Sequence, residues 1–413
     1  MKILHAVESY LPQVHGMSEV VRQLSERLVL KGHDVTVVTS YDAKRLVKII
    51  SGVKIVEFKI TGNAVWGIWG EKEEYQSFLL DESYDVICFF AAHQWATDLA
   101  LPILDSIKSK KIFVPTGFSG FYQPIFKSYF ENLRITMKKF DHSVFLSNDY
   151  RDINFAREIG IKNFSLIPNG ADEREFITPE VNKFRNDFGI SENELLLLSV
   201  GSHTGKKGHA EAIQILKRLK NTGPITLLIV GNLPSTGEGT HKFMSILKSI
   251  VKRIINYQGG GDCLKDCLTE QKKMSGKLIN RRLLVKKLSR EETIKAFYAS
   301  DLFLFPSNIE CSPIVLFEAN AAGLPFFTTN VGNAKEISDW TNGGVILPTI
   351  FKKNMLGYAK IKESTELIDE YLKSPEKLKK LGKAGQEKVI QGFTWKNITQ
   401  KYESLYKELN AKT

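Results

Sequence analysis

Hydrophobic and polar positions along the chain fall into two alternating textures. Short runs are almost continuously apolar: "KILHAV" from Lys2, "DVTVVTS" from Asp34, "VKIVEF" from Val53, "YDVICFF" from Tyr84 and "KIFVP" from Lys111. Strands of that kind are buried on both faces, as in a parallel sheet covered by helices. Between them lie segments with helical spacing. In "SEVVRQLSERLVLKG" the apolar Val20, Val21, Leu24 and Leu28 recur on one face, and Gly32 is a stop.

After "FSLIPNGADEREF" the cycle restarts. The order is "ELLLLSVG", the helix "HAEAIQILKRLK", "ITLLIVG", a helix, "RRLLVKK", the helix "REETIKAFYAS", "LFLFPS", the helix "IVLFEANAAG" and "PFFTT". The pattern predicts an α/β chain of two doubly wound domains with a break between Asn169 and Ser191. We place the domains at 1–175 and 176–393. The last stretch, "TWKNITQKYESLYKELN", predicts an amphipathic helix at about 394–413. At 413 residues two domains are the natural expectation.

Composition adds exclusions. There is no apolar run long enough to span a bilayer, and the N-terminus turns polar too early for a signal peptide. The four cysteines suggest no disulfide framework, so we expect a reducing, cytoplasmic setting in which the sequons at Asn163 and Asn397 are irrelevant. Cys263 and Cys267 are spaced C-x3-C with no second pair, a weak metal signal, and no metal is expected. The net charge is +11. Most of it is local: Lys242 to Arg290 holds thirteen Lys/Arg against three acids. "HKFMSILKSIVKRII" there reads as a sheet-covering helix with a solvated basic face, or as a contact for anionic lipid or acidic polysaccharide. Aromatics are not interleaved with the basic residues, so nucleic acid is not expected as a partner.

Doubly wound domains bind ligands beyond the C-terminal ends of their strands. The first such loop holds a single glycine, Gly16, where a dinucleotide enzyme would carry G-x-G-x-x-G, so a dinucleotide cofactor is not expected. After "LFLFPS" comes "NIECSPIVLFEANAAGLP". Ser312 is a suitable N-cap and Pro313 suits the first helical position. The N–H groups of Ile314 and Val315 would then form an anion site. Glu310 precedes it and Glu318 lies in the second turn. Carboxylates accept hydrogen bonds from paired hydroxyls, so a nucleotide sugar is one reading. The other has Glu310 as a solvated loop acid and Glu318 paired with a core lysine. The loop "VGSHTGKKGHAEAI" offers Lys206 and Lys207 at a helix entrance, either to neutralise a diphosphate or as solvated side chains.

Several motifs together resemble the retaining glycosyltransferase family 4, the group 1 glycosyltransferases. They are the Glu310…Glu318 spacing with "EANAAGLPFFTTNVGNAKEI", "LIPNGADEREF", "VG…KKGH" at Lys207, the opening "G…LSERLVLKGHDVTVVT" and the closing "FTW…Y". The resemblance spans nearly the whole chain in order. It implies the GT-B fold, in which two Rossmann-like domains face a cleft and the closing helix returns to the first domain. It implies a retaining hexosyltransferase acting without metal or cofactor on a nucleotide sugar, with an acceptor domain first and a donor domain second. Carried over by position, Glu318 binds the ribose and Glu310 the donor sugar. Lys207 holds the diphosphate, and Gly16 allows close approach. Lys206, Gly231, Ser312, Pro313, Ile314 and Val315 complete the donor set.

The chain also departs from the family pattern. Ser202, beside His203, stands where the family usually has arginine, so Lys206 or His203 would have to substitute. Glu310-Cys311-Ser312-Pro313 replaces the usual E-G-F-G. The usual histidine is absent from "VPTGFSGF", and His93 is the nearest candidate, its alternative role being a helix-entrance residue satisfied by backbone. The reading is therefore transfer to a glycan or lipid-linked acceptor in surface polysaccharide or glycoconjugate synthesis, in the cytoplasm or at the inner face of the cell membrane. The alternative is a non-catalytic binder of nucleotide sugar or glycan.

Overall fold

The computed structural model describes residues 1–81, 83–177, 182–220, 223–231, 262–275, 280–353 and 355–411. The basic stretch "HKFMSILKSIVKRII" lies outside them. The chain divides into two compact units. The first comprises Met1–Glu173, Cys311–Ile314 and Gln391–Thr413, and the second Arg174–Glu310 and Val315–Ile390.

The first unit is built on an eight-stranded sheet. In chain order its strands are β1 (Lys2–Ala6), β2 (Asp34–Ser40), β3 (Ile49–Ile50) and β4 (Val53–Phe58), then, after a separate hairpin of β5 (Ile60–Asn63) and β6 (Gly67–Gly70), β7 (Val86–Phe90), β8 (Lys110–Val114), β9 (His142–Phe145) and β10 (Phe164–Leu166). Their order across the sheet is β10-β9-β8-β7-β1-β2-β4-β3. Every pairing is parallel except the short β3 against β4. The apolar runs are buried because both faces are covered: all five residues of β7 are inaccessible. One cover is the helix Gly16–Leu30, which presents Val20, Val21, Leu24 and Leu28 to the core. Another is the closing helix Trp395–Ala411, whose Trp395, Ile398, Tyr402 and Tyr406 are buried in that same core. Fully burying such large side chains is worth about 2–3 kcal/mol each.

The second unit has six parallel strands: β11 (Leu195–Val200), β12 (Ile225–Val230), β13 (Arg281–Lys286), β14 (Leu302–Phe305), β15 (Phe326–Thr329) and β16 (Gly344–Leu347). Their order is β13-β12-β11-β14-β15-β16. Counted within the unit this is 3-2-1-4-5-6, the dinucleotide-fold order, whose reversal lies between the first and fourth strands. The helices His209–Arg218, Arg290–Ala299 and Ile314–Ala321 follow β11, β13 and β14. The helix Arg290–Ala299 opens with a capping box: Ser289 accepts from the Glu292 N–H, and Glu292 accepts from the Ser289 N–H.

Sequence periodicity places the helix start after β14 at Pro313, with Ser312 as cap. The helix instead begins at Ile314, and Pro313 stands just before it. The Ser312 carbonyl accepts a 2.7 Å hydrogen bond from Asn169 Nδ2, which holds Ser312 outside the helix. No helix among the described residues is long and apolar enough to cross a membrane.

Candidate functional site

In the second unit the chain-order reversal brings the loops after β11 and β14 side by side. They are stitched together: the Asn308 N–H donates to the Lys206 carbonyl at 2.9 Å, and Ser307 Oγ lies 3.0 Å from the same carbonyl. Gly208 makes the approach possible. It has φ +73°, and a Cβ there would sit 2.0 Å from the Pro306 carbonyl oxygen. Gly231, just past β12, packs similarly, since its Cβ would meet the Gly201 carbonyl at 2.3 Å.

Lys207 Nζ donates to Glu310 Oε1 at 2.7 Å, and Ser307 Oγ donates to that oxygen at 2.7 Å. The Glu310 side chain is only 10% exposed, so it is not a solvated loop acid. Glu318 is buried, and its partner is Arg290, at 2.6 Å, where one sequence reading has a core lysine. The Arg290 guanidinium also holds Glu175, its Nε lying 3.0 Å from Oε2. Glu310 and Glu318 are therefore each matched by a cation, Lys207 and Arg290, and Arg290 also serves Glu175. Charge-assisted contacts of this kind are the strong ones. Ser202 is partly buried at the end of β11, and Lys206 is partly exposed. His203 is fully buried, and its Nδ1 faces Cys263 Sγ. Val315 lies in the first turn of the helix carrying Glu318.

The remaining sequence candidates belong to the first unit. Gly16 is the first residue of its helix, and a Cβ built there meets nothing within 4 Å. The chain's own packing thus makes no demand for glycine at that position. Ser312, Pro313 and Ile314 group with this unit as well. His93 follows β7 in the left-handed region, φ +60°. Its ring is boxed by Phe126, Tyr129 and Phe130, with centroids 4.5–5.1 Å away. Burial pulls its pKa down to about 4, so the ring is neutral at neutral pH. Its backbone N–H donates to Tyr129 Oη, which donates to Asp98 Oδ1 at 2.8 Å. Nearby, burial pushes Glu8 up to about 7, with Asp98 adding to the shift, and burial pushes Asp98 up to about 6.

Sequence reasoning missed Arg290, Ser307 and the acid pair Glu8 and Asp98. The capping-box motif "SREE" marks where the Arg290 helix begins, but its contact with Glu318 depends on the sheet order. Sequence reasoning also missed that His203 and His209 approach Cys263 and Cys267.

Comparison with known proteins agrees with this architecture. The model of the family "Glycosyl transferases group 1" matches residues 180–388, and that of "Glycosyltransferase Family 4" matches residues 14–175. The chain is 23% identical over 422 residues to the N-acetyl-alpha-D-glucosaminyl L-malate synthase of Bacillus anthracis, covering 98% of this chain and 97% of that one. It is 27% identical over 203 residues to the lipopolysaccharide glucosyltransferase WaaG of Escherichia coli, covering 47% of this chain and 45% of that one. Among solved structures, Anabaena HepE in complex with UDP superposes with a TM-score of 0.71 at 14% identity, covering 99% of this chain and all of that one. The sheet orders, the pairs at the loop ends and the two family matches lead to one conclusion: this chain belongs to the group 1 glycosyl transferases and has their GT-B fold.

Proposed function

We propose that this protein transfers a hexosyl group from a nucleotide sugar to an acceptor hydroxyl, retaining the anomeric configuration and without a catalytic metal ion. The observation that carries the reading is the Lys207–Glu310 pair at the chain-order reversal of the second unit. That is where doubly wound sheets bind ligands.

In this reading Lys207 lies against the donor diphosphate. When the bond from the anomeric carbon to the phosphate oxygen breaks, its electron pair goes to the diphosphate, and Lys207 stabilises the added charge. The acceptor oxygen bonds to the carbon from the same face. Its proton passes to the departing phosphate oxygen, so no protein nucleophile is required. Glu310 accepts from hydroxyls of the transferred sugar, and Glu318, with Arg290 as its fixed counter-charge, accepts from the ribose. Lys206, Val315 and Gly231 border the diphosphate. His203 is left out of this donor set because it is fully buried with its Nδ1 against Cys263.

The acceptor is a glycan or lipid-linked sugar of surface polysaccharide or glycoconjugate synthesis. The partial similarity to a lipopolysaccharide glucosyltransferase supports that class. Solved complexes of HepE contain UDP and UDP-glucose, so UDP-sugars are the first donors to try.

The test is release of nucleoside diphosphate from a panel of nucleotide sugars, with and without added divalent cations, and with thermal shift on the same panel. Release by wild type and its loss in Lys207→Ala are expected. Donor-dependent thermal shift without release or transfer under any acceptor condition would turn the assignment to a non-catalytic binder. Product NMR decides retention.

A further inference from the structure

Four buried or half-buried side chains outside the proposed donor contacts converge on one point. They are His203 in the loop after β11, His209 at the start of the next helix, and Cys263 and Cys267 at the start of the helix Leu264–Met274. One candidate ligand atom from each lies within 4.8 Å of all the others. Cys263 Sγ is 3.7 Å from His203 Nδ1 and 3.6 Å from His209 Nδ1.

Those separations have a chemical meaning. Tetrahedral zinc, with bonds of about 2.3 Å to sulfur and about 2.0–2.1 Å to nitrogen, sets neighbouring N and S about 3.6 Å apart. The local backbone suits the same end. Cys263 caps its helix and Cys267 lies one turn on, joined by the Cys267 N–H to Cys263 carbonyl bond at 3.0 Å, so both thiols can share one face. The Cys263 N–H donates to the His203 carbonyl at 3.1 Å, which ties the two ligand pairs together through the backbone.

Without a metal the cluster is poorly satisfied. Both Nδ1 atoms have the same Cys263 Sγ as their neighbour, and a thiol is a weak donor and acceptor with a single proton to share between them. His203 and His209 are 0% and 2% exposed and Cys267 is 2% exposed, so the three are not surface residues meeting by chance.

We propose that His203, His209, Cys263 and Cys267 form a four-coordinate structural zinc site. Its Cys2His2 set uses all four positions, which marks a structural rather than a catalytic ion. Binding replaces the two thiol protons, which go to solvent, with two zinc–sulfur bonds. His203 and His209 bracket Lys206 and Lys207, so the ion fastens both ends of the lysine loop to the helix that begins at Leu264. The site does not rest on the donor assignment, and transfer without a catalytic metal is compatible with it.

The test uses the full chain. Purified wild type is expected to contain one zinc ion per chain by elemental analysis. Exchange with cobalt(II) is expected to give the intense visible bands of tetrahedral cobalt together with thiolate-to-cobalt charge transfer in the near ultraviolet. Cys263→Ser, Cys267→Ser and His209→Asn should each lose the bound metal and alter or abolish those bands. If a variant fails to fold, wild type alone decides, through its zinc content, its cobalt spectrum and a fall in melting temperature on stripping with a strong chelator. Folded wild type that holds no zinc and gives no thiolate–cobalt band overturns the site. So does a folded double-serine variant that keeps its metal.

Discussion

Lys207 and Glu310 stand 103 positions apart in the chain, yet Nζ and Oε1 lie 2.7 Å from each other. The pair closes the gap between two loops that leave neighbouring strands at the point where sheet order reverses. Lys207 is 28% exposed, so its removal leaves the core untouched. Lys207→Ala is expected to lower kcat by about 10²–10³, the effect of losing one stabilising donor of developing charge. Far-ultraviolet circular dichroism should be unchanged. Steady-state release of nucleoside diphosphate measures the first, and wild-type turnover in the variant would remove Lys207 from the mechanism.

Arg290 holds Glu318, which is 6% exposed, and removing the arginine takes a 2.6 Å charge contact from that carboxylate. Because Arg290 itself is 42% exposed, water recovers part of the loss. Arg290→Ala should destabilise the second unit by about 1–3 kcal/mol, the usual worth of a hydrogen bond to a charged group. Chemical denaturation gives the number, and Glu318→Gln combined with Arg290→Ala should cost less than Arg290→Ala alone. With Glu318→Gln measured alone as well, losses of the two single variants that simply add up to that of the double would show that the pair carries no coupling.

Two glycines separate backbone strain from close packing. Gly160 has φ +81° with open space around it, whereas Gly208 has φ +73° and faces the Pro306 carbonyl. Gly160→Ala should cost about 1 kcal/mol, the left-handed penalty alone. Gly208→Ala must also push the β11 and β14 loops apart. It should cost clearly more and weaken donor binding with it. Melting temperatures of the two variants, with thermal shift by donor, make the comparison; similar losses would mean that the loops yield freely.

His93 supplies a pH signature. Its folded pKa is about 4 against 6.5 when unperturbed, because the ring is buried among aromatics. As pH falls below 6.5 the unfolded chain takes a proton that the folded chain refuses. Stability is therefore lost between pH 6.5 and 4, by up to about 3 kcal/mol at about 1.4 kcal/mol per unit. His93→Asn, which tolerates the left-handed backbone, should flatten that part of the profile relative to wild type. Parallel profiles from pH 7 to 4 would contradict this.

The strands were readable because continuous apolar runs such as Leu195–Val200 and Leu302–Phe305 report burial on both faces. Short strands whose residues are only partly buried, such as Gly344–Leu347, lack that signal. Glu310 and Glu318 could be singled out by spacing and chemistry. Lys207 could be too, but Arg290 could not, because it reaches Glu318 only after six strands adopt one order. Cys263 and Cys267 looked unsupported along the chain because His209 and His203 precede Cys263 by 54 and 60 positions. His93 gave no sign of its aromatic box, since Phe126, Tyr129 and Phe130 arrive from a later helical stretch.

The helix Trp395–Ala411 completes the core that Lys2–Ala6 begins, with Tyr406 Oη 3.2 Å from His5 Nε2. That arrangement sets a schedule during synthesis on the ribosome. The earliest strands must wait, with part of their apolar surface uncovered, until residues some four hundred positions later have emerged. The second unit's strands are all made before that moment, so it can mature first. Nascent chains stalled before Trp395 should then need chaperone cover for their N-terminal half, while the half made later is already protected.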